Sequence, residues 1–300
     1  MEQQDILSMT LPELQAAVQE LSEPKFRAKQ IFNWLHQKRV TDFSEMTTLS
    51  LPFRERLASD FCINRLKIAK RLASSVDDTV KYLYELPDGN YVETVCMQYH
   101  HGTSLCISTQ VGCRMGCRFC ASAIAGFVRN LTPAEMLLQI YETERAQNCK
   151  ISSLVLMGIG EPLDNFDNVL RFLQLLSDPN GYGMSLRHVT ISTCGVVPKI
   201  LELAEQRLGL TLSVSLHCPN DAGRSAIMPI NRSYPIDVLL DACQTYFEKT
   251  GRRVTFEYAV MDQVNSAEQD AAALAERLKG LHAHVCLLYT SPSPRDRSLS

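Results

Sequence analysis

Three cysteines, Cys113, Cys117 and Cys120, stand within the eight-residue run Cys-Arg-Met-Gly-Cys-Arg-Phe-Cys, a C-x3-C-x2-C spacing. Clustered thiolates are soft ligands suited to iron–sulfur clusters, zinc or Cu(I). Structural zinc sites usually collect four ligands as two paired turns, and the chain has no second C-x2-C and no H-x3-H. Three thiols on a four-iron cluster would leave one iron open to a small chelating molecule. The plainer reading, three unrelated core cysteines, accounts for apolar packing but not for the flanking Gly and Arg.

These residues need elements to hold them. Residues 80–97 alternate as a hairpin: Val80-Lys-Tyr-Leu-Tyr-Glu-Leu, the turn Pro87-Asp-Gly-Asn, then Tyr91-Val-Glu-Thr-Val. Glu93 falls mid-strand, where an outward-facing residue is the plain reading. Strands then follow over residues 104–108, 153–157, 188–192, 211–216, 253–260 and from 282 onward. Amphipathic helices between them span 132–145, 165–176, 236–249 and 267–279. This alternation predicts parallel strands with right-handed crossovers, an α/β fold of six units forming an open, partial (β/α)6 barrel.

In such barrels function collects at the C-terminal ends of the strands. The cysteine loop follows the first strand and Gly158-Ile-Gly160-Glu161-Pro162 the second. Ser192-Thr-Cys-Gly ends the third, and Ser213-Val-Ser215-Leu216-His217 the fourth. Singly, these are a tight turn, a strand end and a structural histidine; together on one rim they argue for one site. Arg224, Asn231 and Arg232 lie in a following loop that could approach RNA.

Residues 10–75 read as a small helical unit. Thr10-Leu-Pro-Glu13 is an N-cap, with Leu14, Val18 and Leu21 at helical spacing. A second helix over 25–37 takes Phe26, Ala28, Ile31, Phe32 and Leu35 as its apolar face, and Ser50-Leu-Pro-Phe opens a third. Lys25, Arg27, Lys29, Arg65, Lys67, Lys70 and Arg71 are the local basic groups; a solvated helix face is their plain reading.

The thiol spacing resembles the signature of the radical S-adenosylmethionine (SAM) superfamily. Residues 104–122, from Ser-Leu-Cys-Ile-Ser-Thr-Gln-Val-Gly-Cys to Cys-Ala-Ser, resemble more narrowly the RlmN/Cfr family of RNA adenine methyltransferases, and the likeness extends over nearly all of residues 10–285. The resemblance implies a 4Fe–4S cluster on Cys113, Cys117 and Cys120, and two SAM molecules per turnover. It implies that Gly160 and Glu161 hold the amino group of SAM, a carboxylate suiting an ammonium. Ser192 matches a ribose or carboxylate contact, and Ser215, Leu216 and His217 a further SAM-binding segment. Glu93 matches a general base at the modified adenine; a partly buried carboxylate would have the raised basicity that task needs.

Cys106, inside an apolar strand, is by default a buried residue. The resemblance makes it a resolving cysteine that releases product through a transient disulfide with a methyl-carrying cysteine, as a reducing cytosol permits. The implied reaction is methylation at adenine C2 in 23S rRNA and in tRNA beside the anticodon. The implied partners are those RNAs and an electron donor such as flavodoxin, with a monomeric protein. A C8-directed relative shares the motifs, and a noncatalytic iron–sulfur or zinc module is the alternative from another class.

The totals agree with this class. The chain has 300 residues, 45% of them hydrophobic, a net charge of −3 and eleven cysteines. That composition supports a sizeable core and points the cysteines to metal or redox chemistry. It carries no global basic signature of nucleic-acid binding, so RNA as partner rests on the resemblance. There is no signal-like start and no run of membrane-span length, and a cytoplasmic protein without membrane attachment is expected. The expected organisation is a helical RNA-gripping domain over 1–75, a hairpin linker over 76–99, the radical SAM core over 100–285 and a non-native tail over 286–300. That tail, Cys286-Leu-Leu-Tyr-Thr-Ser-Pro-Ser-Pro-Arg-Asp-Arg-Ser-Leu-Ser, departs from the family and reads as sequencing-adapter read-through. Cys286 takes the place of a family asparagine that contacts SAM. The methyl-carrying cysteine is absent, so the chain as written is expected to hold the cluster without completing methyl transfer.

Overall fold

A computed structural model describes residues 3–124 and 126–288. The chain divides into two compact units, one of residues 1–111 and 128–189, the other of residues 112–127 and 190–300.

The first unit opens with β1 (Gln4–Asp5), α1 (Leu11–Glu20), α2 (Phe26–Asn33), α3 (Leu51–Asp60) and β2 (Phe61–Cys62), which pairs parallel with β1. α1 starts where the sequence predicts: the Thr10 N–H donates to the Glu13 carboxylate at 2.8 Å, and Pro12 occupies the first turn. α2 continues into a π turn, Trp34–Lys38, and stops at Arg39 in the left-handed region (φ 56°). Ala28, Ile31, Phe32 and Leu35 are buried, whereas Phe26, expected beside them, is 58% exposed. Two residues before Ala28 is the opposite side of a 3.6-residue helix.

Residues 67–73 are not helical. They form β3 (Lys67–Ala73), exposed throughout and antiparallel to β4 (Val80–Glu85). A register shift between Ile68 and Lys70 breaks the two-residue alternation that identifies a strand in sequence. β5 (Tyr91–Tyr99) and β6 (Gly102–Cys106) extend the antiparallel run. A short ribbon of β7 (Gln110–Gly112) and β8 (Phe127–Asn130) follows, then α4 (Pro133–Gln147), β9 (Ile151–Leu156), parallel to β6, and α5 (Phe166–Ser177). On β5, Val92, Thr94 and Cys96 are buried. α4 covers that face: Thr94 Oγ1 donates to Gln139 Oε1 at 2.9 Å, and the Tyr84 and Thr143 hydroxyls meet at 2.9 Å. Glu93, Val95 and Met97 stand on the other, half-open face.

The second unit alternates β10 (Val189–Thr193), α6 (Val197–Glu205), β11 (Thr211–Ser215), α7 (Asp221–Ile227), α8 (Ile236–Thr250), β12 (Val254–Ala259), α9 (Glu268–Arg277) and β13 (Ala283–Leu288). β10 to β13 are parallel neighbours in sequence order, so strand–helix alternation yields the α/β fold it predicts. Ile191, Leu212, Val214, Val254 and Phe256 bury one sheet face. On the other, Ser192 lies level with Ser213 and Thr255, and Ser215 with Glu257 and Cys286. Strands buried on both faces are ordinarily apolar throughout; this polar row marks a surface built for something other than packing. β13 runs through Cys286 to Leu288, and residues 289–300 of the segment read as non-native lie outside the described residues. Among the described residues no helix is long and apolar enough to cross a membrane.

Candidate active site

Each unit carries one part of the predicted site. In the first, the glycine–glutamate loop leaves β9 and is clasped by the segment after β6. Thr109 N–H donates to Ile159 O at 2.9 Å, and Ile159 N–H donates to Ser108 Oγ at 3.0 Å. A Cβ on Gly158 would stand 2.7 Å from the carbonyl of Ile107. Gly160 has φ +108°, and a Cβ there would stand 2.6 Å from Gln110 Cβ and 2.8 Å from its N. Only glycine permits that conformation and that approach.

Gln110 is wholly buried. Its Oε1 accepts the Glu161 N–H at 2.8 Å, while its Nε2 donates to Asn130 Oδ1 at 2.9 Å and Asp164 Oδ2 at 2.8 Å. Glu161 is 3% exposed, and its Oε1 accepts the Leu163 N–H at 3.0 Å. Gln110 and Ser108 were not singled out from sequence. The signal was there: Ser108-Thr109-Gln110 sets three polar residues directly after an apolar strand end.

Glu93 and Cys106 come together. Cys106 lies directly across from Val95 in the β5–β6 register, so it shares a sheet face with Glu93, two residues along, at a diagonal of about 7–8 Å. The Glu93 side chain is 40% exposed, with Lys81 Nζ 2.6 Å from its carboxylate. Burial acts on Cys106, pushing its thiol up to about 11 against a backbone hydrogen bond with Met157. None of the eleven cysteines is in a disulfide, so the pairing implied for Cys106 is not made here.

In the second unit, the three thiols are half-buried on one loop. Cys113 N–H donates to Gly126 O at 3.0 Å, Cys120 N–H to Cys117 O at 3.2 Å, and Arg118 N–H to Ile227 O at 2.9 Å. Among the described residues no three of His, Cys, Asp and Glu are gathered closely enough to hold a metal ion. Thiols converge when a metal compensates their charge. The donor set fits a 4Fe–4S cluster: three accessible cysteines in eight residues, two of them joined by a turn.

His217, after β11, is 3% exposed and has φ 57°, an uncommon backbone for a non-glycine residue and one that collects at functional sites. Its Nδ1 accepts the Ala259 N–H at 3.0 Å, which leaves the proton on Nε2. Burial, with the Arg224 guanidinium nearby, pulls its pKa down to about 4. The Phe119 ring, from the cysteine loop, meets the imidazole edge-on at 4.8 Å. Ser192 and Ser215 are half-buried on the polar sheet face, and Leu216 is wholly buried, so it offers a ligand only its backbone.

Arg224, expected in an RNA-facing loop, is fully buried, and Asn231 nearly so. Its Nη2 donates to Cys194 O at 2.6 Å and Ser215 O at 2.9 Å, Nε to Leu216 O at 3.2 Å, and Nη1 to Asn231 Oδ1 at 2.9 Å. One guanidinium thus joins the ends of β10 and β11 and the helix carrying it. Glu257 was also missed. It is 7% exposed and accepts from Ser213 Oγ at 2.7 Å; burial and this carboxylate push the Cys286 thiol up to about 11. A glutamate in mid-strand, at Thr-Phe-Glu-Tyr, was its signal.

Comparison with known proteins gives this arrangement its class. Residues 4–63 match the Ribosomal RNA large subunit methyltransferase N-terminal domain, and residues 107–275 the Radical SAM superfamily. A probable dual-specificity RNA methyltransferase RlmN from Lachnoclostridium phytofermentans is 50% identical, over 96% of this chain and 81% of its own length. Another so named, from Clostridium novyi, is 47% identical over 95% of this chain and 83% of its own. The crystal structure of a radical SAM methyltransferase from Sphaerobacter thermophilus superposes with a TM-score of 0.91 at 38% identity, covering 97% of this chain and 86% of that one. The chain belongs to the radical SAM superfamily and, within it, to the RlmN family of RNA methyltransferases.

Proposed function

We propose that the reaction of this protein is methylation of C2 of adenine in 23S rRNA and in tRNA beside the anticodon, completed by a methyl-carrying cysteine that the chain as written does not include. The observation that carries this is 50% identity over 96% of the chain to a relative named for dual-specificity RNA methylation. Cys113, Cys117 and Cys120 would hold a 4Fe–4S cluster, and Gly160, Glu161, Ser192, Ser215, Leu216 and His217 would bind SAM. When bound, cluster and SAM together supply one-electron cleavage chemistry.

The chain's own residues do the rest. The glycine–glutamate loop, fixed by Gln110, presents its backbone in one conformation. His217, kept neutral, offers an Nε2–H donor. Glu93 takes the proton from adenine C2, its carboxylate 2.6 Å from Lys81 Nζ. Cys106 stays a thiol near neutral pH, since burial holds its pKa near 11; once a base takes its proton, the thiolate would attack the sulfur of the methyl-carrying cysteine, forming the transient disulfide as that sulfur's bond to the transferred carbon breaks, and the carbon keeps the electron pair and takes a proton. An electron donor such as flavodoxin, a monomeric state and a cytoplasmic location complete the proposal.

Nucleoside mass spectrometry of rRNA and tRNA from cells with and without the gene tests this. Loss of 2-methyladenosine from both RNAs is expected; its retention, or loss of 8-methyladenosine instead, overturns the reading. With a reading frame that includes a methyl-carrying cysteine supplied in trans as Cys106→Ala, a covalent protein–RNA adduct should accumulate on denaturing gels. Free modified RNA from that variant would remove Cys106 from the reaction.

A further inference from the structure

The outer side of α2 and its π turn carries an open groove. Phe26, Lys29, Gln30, Asn33, Trp34 and Lys38 line this groove of about 330 Å3, closed at one edge by Thr48. Phe26 is 58% exposed, although it sits in a helix whose other large apolar residues are buried. Lys38 Nζ stands 3.5 Å from the centre of the Trp34 ring, and the Arg27 guanidinium lies 5.0 Å from the centre of the Phe26 ring. No lining residue is acidic.

The groove is built rather than incidental. Trp34 Nε1 donates to Thr48 Oγ1 at 2.8 Å, and Arg27 Nη1 to Gln30 Oε1 at 2.9 Å and Thr48 O at 3.2 Å. These bonds fix the indole edge and the guanidinium plane. The π turn spans Trp34–Lys38; wider than an α turn, it brings Lys38 round by less than a full turn from Trp34 and sets the ammonium over the ring. Single-turn π segments are frequent at functional sites.

Aromatic faces flanked by cations, with amide groups between them, are the elements that hold an unpaired nucleotide: the base stacks on a ring, amides meet its edge, and lysines neutralise the phosphates. A duplex offers phosphates but keeps its bases stacked inside. We infer that this groove binds an unpaired nucleotide of the RNA substrate, stacked on Phe26 and Trp34, with Lys29 and Lys38 on its phosphates. The inference rests on the RNA-substrate reading and adds to it a base-stacking subsite on the helical region.

Trp34 is the chain's one tryptophan, so its fluorescence reports on this groove alone. The full chain is titrated with oligouridylate, single-stranded and then paired with oligoadenylate. The single strand should quench saturably and the duplex should not. Phe26→Ala should raise the Kd about tenfold, Phe26→Tyr should restore it, and Lys38→Gln should lower the salt slope by roughly one phosphate's worth. Because Phe26 is exposed, its replacement leaves the core intact, which circular dichroism verifies. Equal quenching by the duplex, no quenching by either form, or an unchanged Kd in Phe26→Ala overturns the inference, including in favour of a protein partner. Such a result leaves the methylation reading standing, and retained 2-methyladenosine in the gene-deletion test leaves this titration unaffected.

Discussion

The glycine–glutamate loop and the cysteine loop, one in each unit, are held in different ways. The first is fixed by the protein: backbone approaches that exclude any Cβ and a buried Gln110 whose amide serves three partners. The second has half-buried thiols and, among the described residues, no converged metal-ligating group. A loop that grips an organic ligand through backbone geometry must be ordered by packing. A loop that wraps a metal can leave the final convergence to the metal–ligand bonds. Beneath the second loop lies the exception, Arg224, which fixes the neighbouring strand ends while leaving the thiols themselves accessible.

Substitutions can break this contrast. The largest effect is expected from Arg224→Met, which removes the guanidinium bonds to the buried carbonyls of Cys194, Ser215 and Leu216, the last of which keeps the Cys218 N–H at 2.8 Å. It should cost about 4 kcal/mol in denaturant unfolding. A cost below about 1 kcal/mol would show that water replaces the guanidinium. Gly160→Ala follows at about 3 kcal/mol, from its positive φ and the clash with Gln110, and equilibrium dialysis should find SAM binding lost.

Acidification comes next. His36 is buried, its Nδ1 3.0 Å from the Tyr141 hydroxyl, and burial pulls it down to about 4, as it does His217. Both ordinarily titrate near 6.5, so between about 6.5 and 4 the unfolded chain binds more protons than the native one. Stability present above 6.5 is then lost as pH falls toward 4, on the order of 2 kcal/mol for each histidine. In the first unit Asp5, raised to about 6 by burial, works in the opposite direction over part of that window. The second unit should therefore weaken more steeply, as hydrogen exchange at each pH would reveal, and His217→Asn should flatten its slope.

The smallest stability effect belongs to the thiols. Cys117→Ser should shift unfolding by less than about 0.5 kcal/mol, while anaerobic iron and sulfide analysis falls from about four of each per chain to nearly none. A large loss of stability with iron retained would reverse the contrast between the loops.

Much of the fold was legible because it is local. Thr10-Leu-Pro-Glu13 caps its helix as read, and the starts of β6 and of β9 to β13 fall within two residues of expectation, while the short β7 and β8 were not predicted. β3 escaped because its bulge breaks the alternation; α6 was not delimited, although Val197, Ile200, Leu203 and Ala204 form a buried face at helical spacing. Phe26 was placed on the apolar face of its helix with Ala28, Ile31, Phe32 and Leu35, although its phase on α2 sets it on the opposite side. Glu93 was singled out from sequence, but its ion-pair partner Lys81 lies on a neighbouring strand, where no spacing along the chain reveals it.

The sequence by itself determined the thiol spacing, the helix caps, the strand–helix alternation and the placing of motifs at strand ends. Each is set by residues within a turn or two of one another. Only the tertiary structure decided that Arg224 is a buried clasp rather than a surface charge, that Gln110 serves the loop after β9, that Glu257 faces a polar row, and that Cys106 shares a face with Glu93. These depend on strand register and on burial by residues 30 or more positions away. The free energy of a buried polar group is fixed by whichever distant partners pair with it.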